Sequence, residues 1–320
     1  MKHRITVLGS FVVDLMARSS HIPRLGETVK GSIFKMGPGG KGSNQAVAAH
    51  RCGGAVSLIT KIGKDVFGSV AKDFYQQEGM SIDYVYEDPS LSTGIALIMV
   101  DDTTSQNSIT VVPGACGSIA VQEVLQAKES IEQSSILLCQ LETNLDILSP
   151  AVELVHKKKG IAILNPAPAP TTVLEDSFIG QFDVLTPNET EASILTGIEV
   201  VDYQSAYEAA KLLQRKGVKD VIITMGSQGS FLLSKEGDAW IFPPLDVKVV
   251  DTTGAGDAFN GGLATALSQE MSLDQAILFA TTVAALSVTK VGTAPAMPTS
   301  PEVQALLKHI DLQSYKKRFC

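Results

Sequence analysis

The residues best suited to chemistry lie in Val249-Val-Asp-Thr-Thr-Gly-Ala-Gly-Asp-Ala-Phe-Asn-Gly261, where an apolar strand end passes through a Gly-Ala-Gly turn into a helix carrying Asp257 near its start. A helix start offers unpaired backbone N–H groups and the positive end of the macrodipole, which suits a phosphate. Gly254 and Gly256 permit unusual dihedrals and close approach, and Ala255 between them adds a further N–H. A carboxylate inside an anion hole opposes the charge it faces unless it has a proton to move. Taken alone, the same residues read as a helix N-cap after a glycine turn.

Other polar residues stand where strands end. The apolar run Ile5–Leu8 is followed by Val12-Val-Asp14, and Glu142 and Asn165 close two later apolar runs. Ligands of parallel sheets gather at such ends. Gly37-Pro-Gly-Gly-Lys-Gly-Ser-Asn44 brings backbone N–H groups and Lys41 close together, yet Lys41 is followed by Gly42, so this is not a Walker A loop. In Pro187-Asn-Glu-Thr-Glu-Ala192, Asn188 and Glu191 fall on one helical face, where Glu189 and Glu191 also complement a helix dipole. Met225-Gly-Ser-Gln-Gly229 turns tightly beside Thr224.

These residues need a scaffold that converges strand ends. From Val121 onward helical and apolar strand-like segments alternate: helix to Glu132, strand 135–141, helix 146–159, strand 161–165, strand 183–186, helix 203–216, strand 220–224. That pattern predicts an α/β fold, a doubly wound, mostly parallel sheet flanked by helices. Segments 28–35 and 94–112 alternate with period two, predicting a small antiparallel β-sheet lid inserted at about 12–38 and 92–114 in a single domain spanning 1–320. Helices are predicted over 45–52, 65–77, 258–268, 273–289 and 301–309. The lid's exposed face predicts a homodimer.

A net charge of −8 argues against nucleic acid as a partner. The apolar runs are too short to span a bilayer, and Met1-Lys-His-Arg leads into a strand without a signal region, which predicts a cytoplasmic protein. Cysteines 52, 116, 139 and 320 show no metal-ligand spacing and read as reduced structural thiols. The basic runs Lys157–Lys159 and Lys316–Arg318 read as solvated surface.

Gly39-Gly-Lys-Gly-Ser-Asn-Gln-Ala-Val-Ala-Ala49 and Asp251-Thr-Thr-Gly-Ala-Gly-Asp-Ala-Phe-Asn-Gly-Gly262, with Leu164–Ala169, Thr186–Glu191 and Thr224–Gly229 between them, resemble the ribokinase family of PfkB-type sugar kinases from Ile5 to about Pro298. The resemblance implies that Asp257 is the general base for a sugar's primary hydroxyl attacking the γ-phosphate of ATP, with Gly254, Ala255 and Gly256 as the anion hole. It implies that Asp14, Gly40, Lys41, Asn44 and Glu142 contact the sugar. It further implies that Asn188 and Glu191 help hold Mg²⁺ and that Thr224, Gly226 and Gly229 form the nucleotide loop. Asp251, Thr253, Ser287, Lys290 and Gly292 would surround K⁺. Four positions depart from the family pattern. Val12 and Cys116 stand where Asn is common, which makes 2-deoxyribose a rival to ribose. Thr281 lies near the expected adenine, and Ala296 lacks a hydroxyl that some members place near the cation. A dehydrogenase reading lacks Gly-x-Gly-x-x-Gly after the first strand, and a non-catalytic sugar sensor would need a broken Asp257 turn.

Overall fold

The computed structural model describes residues 4–104 and 106–319. Met1–His3, Ser105 and Cys320 lie outside the described residues, and with them the chain's start, one residue of the 101–107 turn and the fourth thiol. The strands, in chain order, are β1 (Arg4–Leu8), β2 (Val12–Ser19), β3 (Gly31–Gly39), β4 (Ala55–Gly63), β5 (Val85–Asp88), β6 (Gly94–Asp101) and β7 (Asn107–Val112). They continue with β8 (Ser134–Cys139), β9 (Ile161–Leu164), β10 (Val184–Leu185), β11 (Asp220–Thr224), β12 (Ser230–Leu233), β13 (Ala239–Phe242) and β14 (Lys317–Arg318).

Ten strands form one sheet in the order β14-β13-β12-β11-β10-β9-β8-β1-β4-β5. Pairings from β5 through β11 are parallel, and those among β11, β12, β13 and β14 are antiparallel. Both faces are apolar: Ile5, Val7, Ile136 and Leu138 pack on one side, and Leu8, Leu137 and Cys139 on the other. Strands buried on both faces read as continuous apolar runs, which is why 136–139 was legible as a strand. The chain enters at β1, moves one way to β4 and β5, then crosses to β8 and beyond. A switch point therefore lies between β1 and β8, where the carboxyl ends leave a crevice.

The second sheet, in the order β3-β2-β6-β7, is mixed rather than antiparallel. β2 pairs antiparallel with β3, but β2 and β6 run parallel. The reason is connectivity. Between β2 and β6 the chain passes through β4 and β5 of the main sheet, and such a crossover returns a strand in its original direction. Period-two alternation reveals strands but not their relative sense.

Several boundaries differ from expectation. The first long helix runs Lys41–Arg51 rather than from 45, because Gly40 at φ 90° completes the turn alone. Gly42 inside its first turn is required by packing, since a Cβ there would come within 2.5 Å of the Gly9 and Ser10 backbones. The segment 121–132 is two short helices, Val121–Gln126 and Lys128–Glu132. β5, β13 and β14 were missed, all short. Within Lys316–Arg318, Lys317 and Arg318 are exposed as expected, but Lys316 is not solvated. Lys316 pairs with Asp274 and lies 3.8 Å from the Trp240 ring centroid, while Lys317 and Arg318 pair with β13. Such a side chain buries its stem and keeps a charged head paired. Lys157 is exposed as expected, 3.7 Å from Glu132. Cys52, Cys116 and Cys139 are buried and free, and burial pushes the Cys52 and Cys116 thiols up to about 12. Among the described residues no helix is long and apolar enough to cross a membrane.

Candidate active site

Four sequence-predicted strand-end residues project from the carboxyl side of the main sheet: Glu142 beyond β8, Asn165 beyond β9, Asn188 beyond β10 and Thr224 at the end of β11; Asp14, expected beyond the first strand's end, lies instead within β2 of the second sheet. Facing them is the helix Ala255–Ser268, three residues longer at its start than expected. Its cap, Gly254, sits at φ 77°, a left-handed conformation that glycine adopts without strain. Asp257 is thus the third helical residue, and first-turn N–H groups have no preceding turn to bond. That of Ala255 donates to the Thr252 carbonyl at 3.2 Å, so Gly256 and Asp257 carry the donors left to an anion. A Cβ built on Gly256 would meet nothing within 4 Å, so the turn opens into a cavity of about 180 Å³ that Lys41, Asn188, Glu191 and Thr224 also line.

Asp257 is only 6 % exposed. Its Oδ2 accepts from Asn44 Nδ2 at 2.9 Å and its Oδ1 from Gln45 Nε2 at 3.0 Å. Asn44 Oδ1 is buried without a hydrogen-bond partner, an acceptor that fits an incoming hydroxyl. The Lys41 N–H and the Ser10 hydroxyl donate to Glu142 Oε2 at 2.9 and 2.5 Å. Burial works against the charge of the Lys41 ammonium, but Asp257, Glu142 and Glu191 around it outweigh burial and raise its proton affinity. Lys41 thus lines the cavity that Asp257 faces, beside an expected anion as much as beside a sugar.

Asp14, the third residue of β2, comes near Asp257 and Glu142. Burial above all, then repulsion from those two carboxylates, pushes its carboxyl up to about 6, although Thr293 opposes the shift. Gly39 makes room for it: a Cβ there would stand 2.2 Å from Asp14 Oδ1. Gly40 fits at φ 90° against the Phe11 backbone. Glu142 opens on a second cavity, about 440 Å³, where Val12 and Cys116 supply apolar wall. These two residues form a small buried cluster with Ala96, and the Cys116 thiol donates to the Pro113 carbonyl at 3.0 Å.

Asn188 and Glu191 make a reciprocal capping box on the helix Glu189–Thr196, with Glu191 Oε2 accepting from the Asn188 N–H at 2.9 Å and Asn188 Oδ1 from the Glu191 N–H at 2.8 Å. Burial raises the Glu191 carboxyl's hold on its proton. Its Oε1 is outside the box, and one hard oxygen in a phosphate-sized cavity fits a Mg²⁺ ion that keeps most of its waters. Among the described residues no group of three or more His, Cys, Asp or Glu could hold a metal by itself. Thr224 docks on the Pro187 carbonyl through its N–H at 2.9 Å, and Gly226 and Gly229 take φ 50° and 93° in the adjoining turn.

Asp251 ties two turns together. Its Oδ1 accepts from Thr253 N–H and Oγ1 at 2.9 and 2.7 Å, and its Oδ2 from Gly292 N–H at 2.9 Å. The Val250 N–H donates to the Val288 carbonyl at 2.8 Å, so this carboxylate and the carbonyl-rich stretch from Ser287 to Gly292 meet directly behind the Gly254 turn. Hard oxygens of this kind fit K⁺. Ala296 is buried in the short 3₁₀ helix Ala294–Ala296. Thr281 stands apart from the phosphate cavity; its hydroxyl donates to Ile277 of its own helix, and Tyr315 lies beside it.

Sequence reasoning missed Gln45, Gln140, Thr186, Asn260 and Thr293. Thr186 Oγ1 donates to Asn260 Oδ1 at 2.6 Å, and Asn260 Nδ2 to the Gly256 carbonyl at 2.8 Å, which braces the anion-hole turn. Asn260 lies four residues beyond Gly256, one helical turn, and that spacing was the available signal.

Residues 2–300 match the model of the pfkB family carbohydrate kinases. Over 97 % of its length the chain is 42 % identical to the whole of a ribokinase from Haemophilus influenzae. It is 38 % identical, over 92 % of its length and 95 % of the relative's, to a deoxyribokinase from Salmonella typhimurium. Among solved structures, a ribokinase from Thermotoga maritima superposes with a TM-score of 0.86 at 35 % identity, covering 96 % of this chain and all of that one. The Arabidopsis thaliana ribokinase complexed with ribose and ATP gives 0.89 at 29 %, covering 97 % and 100 %. By its sequence, its fold and the buried carboxylate at a glycine turn, the chain belongs to the pfkB family of carbohydrate kinases, phosphotransferases that act on a sugar hydroxyl.

Proposed function

We propose that this enzyme transfers the γ-phosphoryl group of ATP to the primary 5-hydroxyl of a pentose, D-ribose first and 2-deoxy-D-ribose as the alternative. The observation that carries it is Asp257, buried at the floor of a phosphate-sized cavity with a donor on each oxygen. Asp257 takes the hydroxyl proton as that oxygen attacks phosphorus, the bond to the β-phosphate oxygen breaks, and ADP leaves. The N–H groups of Gly256 and Asp257 and the Lys41 ammonium receive the charge on the migrating group. Asp14, Gly40, Asn44 and Glu142 grip the sugar hydroxyls, and the Thr224–Gly229 loop and Thr281 flank the nucleotide. The four-stranded sheet is the lid of a single catalytic unit.

Glu191, with Asn188 behind it, would hold Mg²⁺, which supplies charge neutralisation on the ATP phosphates. Asp251 and the backbone at Thr253, Ser287, Lys290, Gly292 and Ala296 would hold K⁺. Exposed Ile33, Phe34, Met36 and Ile109 on the lid sheet support a homodimer through that surface. Free, buried thiols and an ATP substrate support work in the cytoplasm.

The alternative sugar is favoured by one observation. Val12 and Cys116 make part of the cavity wall beside Glu142 apolar, and an apolar wall suits a carbon that lacks its hydroxyl.

Four outcomes test this reading. In coupled ADP-release assays Asp257→Asn should bind both substrates while turnover falls about 10²–10⁴-fold; normal turnover removes Asp257 as the base. Val12→Asn should raise the ratio of kcat/KM for ribose over 2-deoxyribose about tenfold, the worth of one net hydrogen bond, and an unchanged ratio shows that the side chain does not face the 2-carbon. Replacing K⁺ with tetramethylammonium should slow turnover, and indifference to the exchange rejects the cation site. Light scattering should give twice the mass of one chain, falling to one for Phe34→Glu; a monomeric parent rejects the dimer.

A further inference from the structure

Gln45 occupies a place in the site that none of the roles above uses. It is fully buried, one residue after Asn44 on the helix Lys41–Arg51. Its Nε2 donates to Asp257 Oδ1 and to Asn165 Oδ1, both at 3.0 Å, which uses both amide hydrogens. Its Oε1 accepts from Gln140 Nε2 at 2.7 Å. The two ends of an amide are chemically opposite, so orientation matters. Turned over, Gln45 would set its carbonyl oxygen against two acceptors and its NH₂ against another NH₂. Asn165 cannot turn to accommodate this, because its own Nδ2 donates to the Thr186 carbonyl at 3.0 Å. Asn165, itself held, therefore permits one orientation, the one that aims a donor at Asp257, and Gln140 donates to the oxygen so placed.

The arrangement is not what stability alone would select. Gln140 is fully buried and its Oε1 has no hydrogen-bond partner, a state that costs free energy. Apolar residues of the same shape would avoid that cost. What the amides supply instead is a fixed carboxylate: Asn44 holds one oxygen of Asp257 and Gln45 the other, both from successive residues of a single helix.

We propose that Gln45, oriented by Asn165 and held by Gln140, is a positioning residue that holds the Asp257 carboxylate in the geometry proton abstraction requires. The inference rests on Asp257 being the base. The charged groups that also act on Asp257 are Asp14, Lys41 and Glu191, and none of them bonds to Gln45.

The test uses the full chain, with Gln45→Leu, Gln140→Leu, Asp257→Asn and the double variant Gln45→Leu/Asp257→Asn. Turnover, both KM values and the melting temperature are measured for each. Gln45→Leu should lower kcat about 10–100-fold, a part of the roughly 10²–10⁴-fold that general base catalysis contributes, and leave both KM values within about twofold. Gln140→Leu, which never touches Asp257, should show the same pattern more weakly without a lower melting temperature. In the double variant Gln45→Leu should add nothing to Asp257→Asn. A Gln45→Leu enzyme with near-parental kcat, or one whose KM values change while kcat does not, beside an inactive Asp257→Asn, overturns the inference alone. Normal turnover in Asp257→Asn overturns the base reading and this inference with it. Should Gln45→Leu fail to fold, Gln140→Leu decides: a parental kcat overturns the proposal.

Discussion

Burying a carboxylate is costly unless donors replace the water it loses, and the site is arranged around meeting that condition at Asp257. Two amide side chains meet it, and each must itself be buried and oriented. The consequence spreads through the sheet: Gln140 at the end of β8, Asn165 at the end of β9 and Thr186 after β10 each hold the next group in place. Polar networks of this kind fix a geometry only when nearly every member is satisfied. Here the unmet atoms are informative. Asn44 Oδ1 lies next to where a sugar hydroxyl is expected, whereas Gln140 Oε1 lies behind the site.

The topology makes such a network possible. Because the strand order reverses between β1 and β8, the chain presents the ends of β8, β9, β10 and β11 as a row facing the Gly254 turn. The helix Lys41–Arg51 crosses that row close to β1, with Gly42 packed on the Gly9–Ser10 backbone. Side chains from residues two hundred positions apart then meet within one hydrogen bond. Preorganised donors are worth most where water is excluded, and the four-stranded sheet contributes Asp14 and the buried Val12 next to the site.

Much of this was legible in the sequence, for identifiable reasons. Continuous apolar runs such as Ile136–Cys139 reveal strands covered on both faces, and glycine turns such as Gly254–Gly256 reveal helix starts beside a ligand. The Asp257, Asn188 and Glu191 groups were found because spacing along one element reports local geometry. Gln45 and Gln140 were not, because their partnership spans ninety-five residues and neither looks unusual beside its neighbours. The parallel pairing of β2 with β6 was likewise hidden, since period two is identical in both senses. Glycine density misled at Gly37–Asn44: what reads as a long loop is strand to Gly39, a single turn residue and a helix from Lys41. Lys316 misled in the opposite direction, a charged tail residue tied down by Asp274 and Trp240.

The two departures from the family pattern in the sugar-side wall are best understood together. Val12 and Cys116 touch in one small cluster with Ala96, so each finds an apolar neighbour where a lone Asn would face a wall unable to bond it. The Cys116 thiol is already engaged by the Pro113 carbonyl, and burial keeps it neutral, so it has little to offer a hydroxyl. A pair of apolar replacements therefore leaves no buried donor unpaired, whereas a single one would. Selection between pentoses at such a wall would act less by rejecting a hydroxyl than by not rewarding it. An apolar surface cannot strongly exclude an added hydroxyl, while a polar one strongly penalises its loss. On that asymmetry, a pentose held at this wall would gain little from an added hydroxyl, and Glu142, which lines the same cavity, is a polar partner open to either sugar.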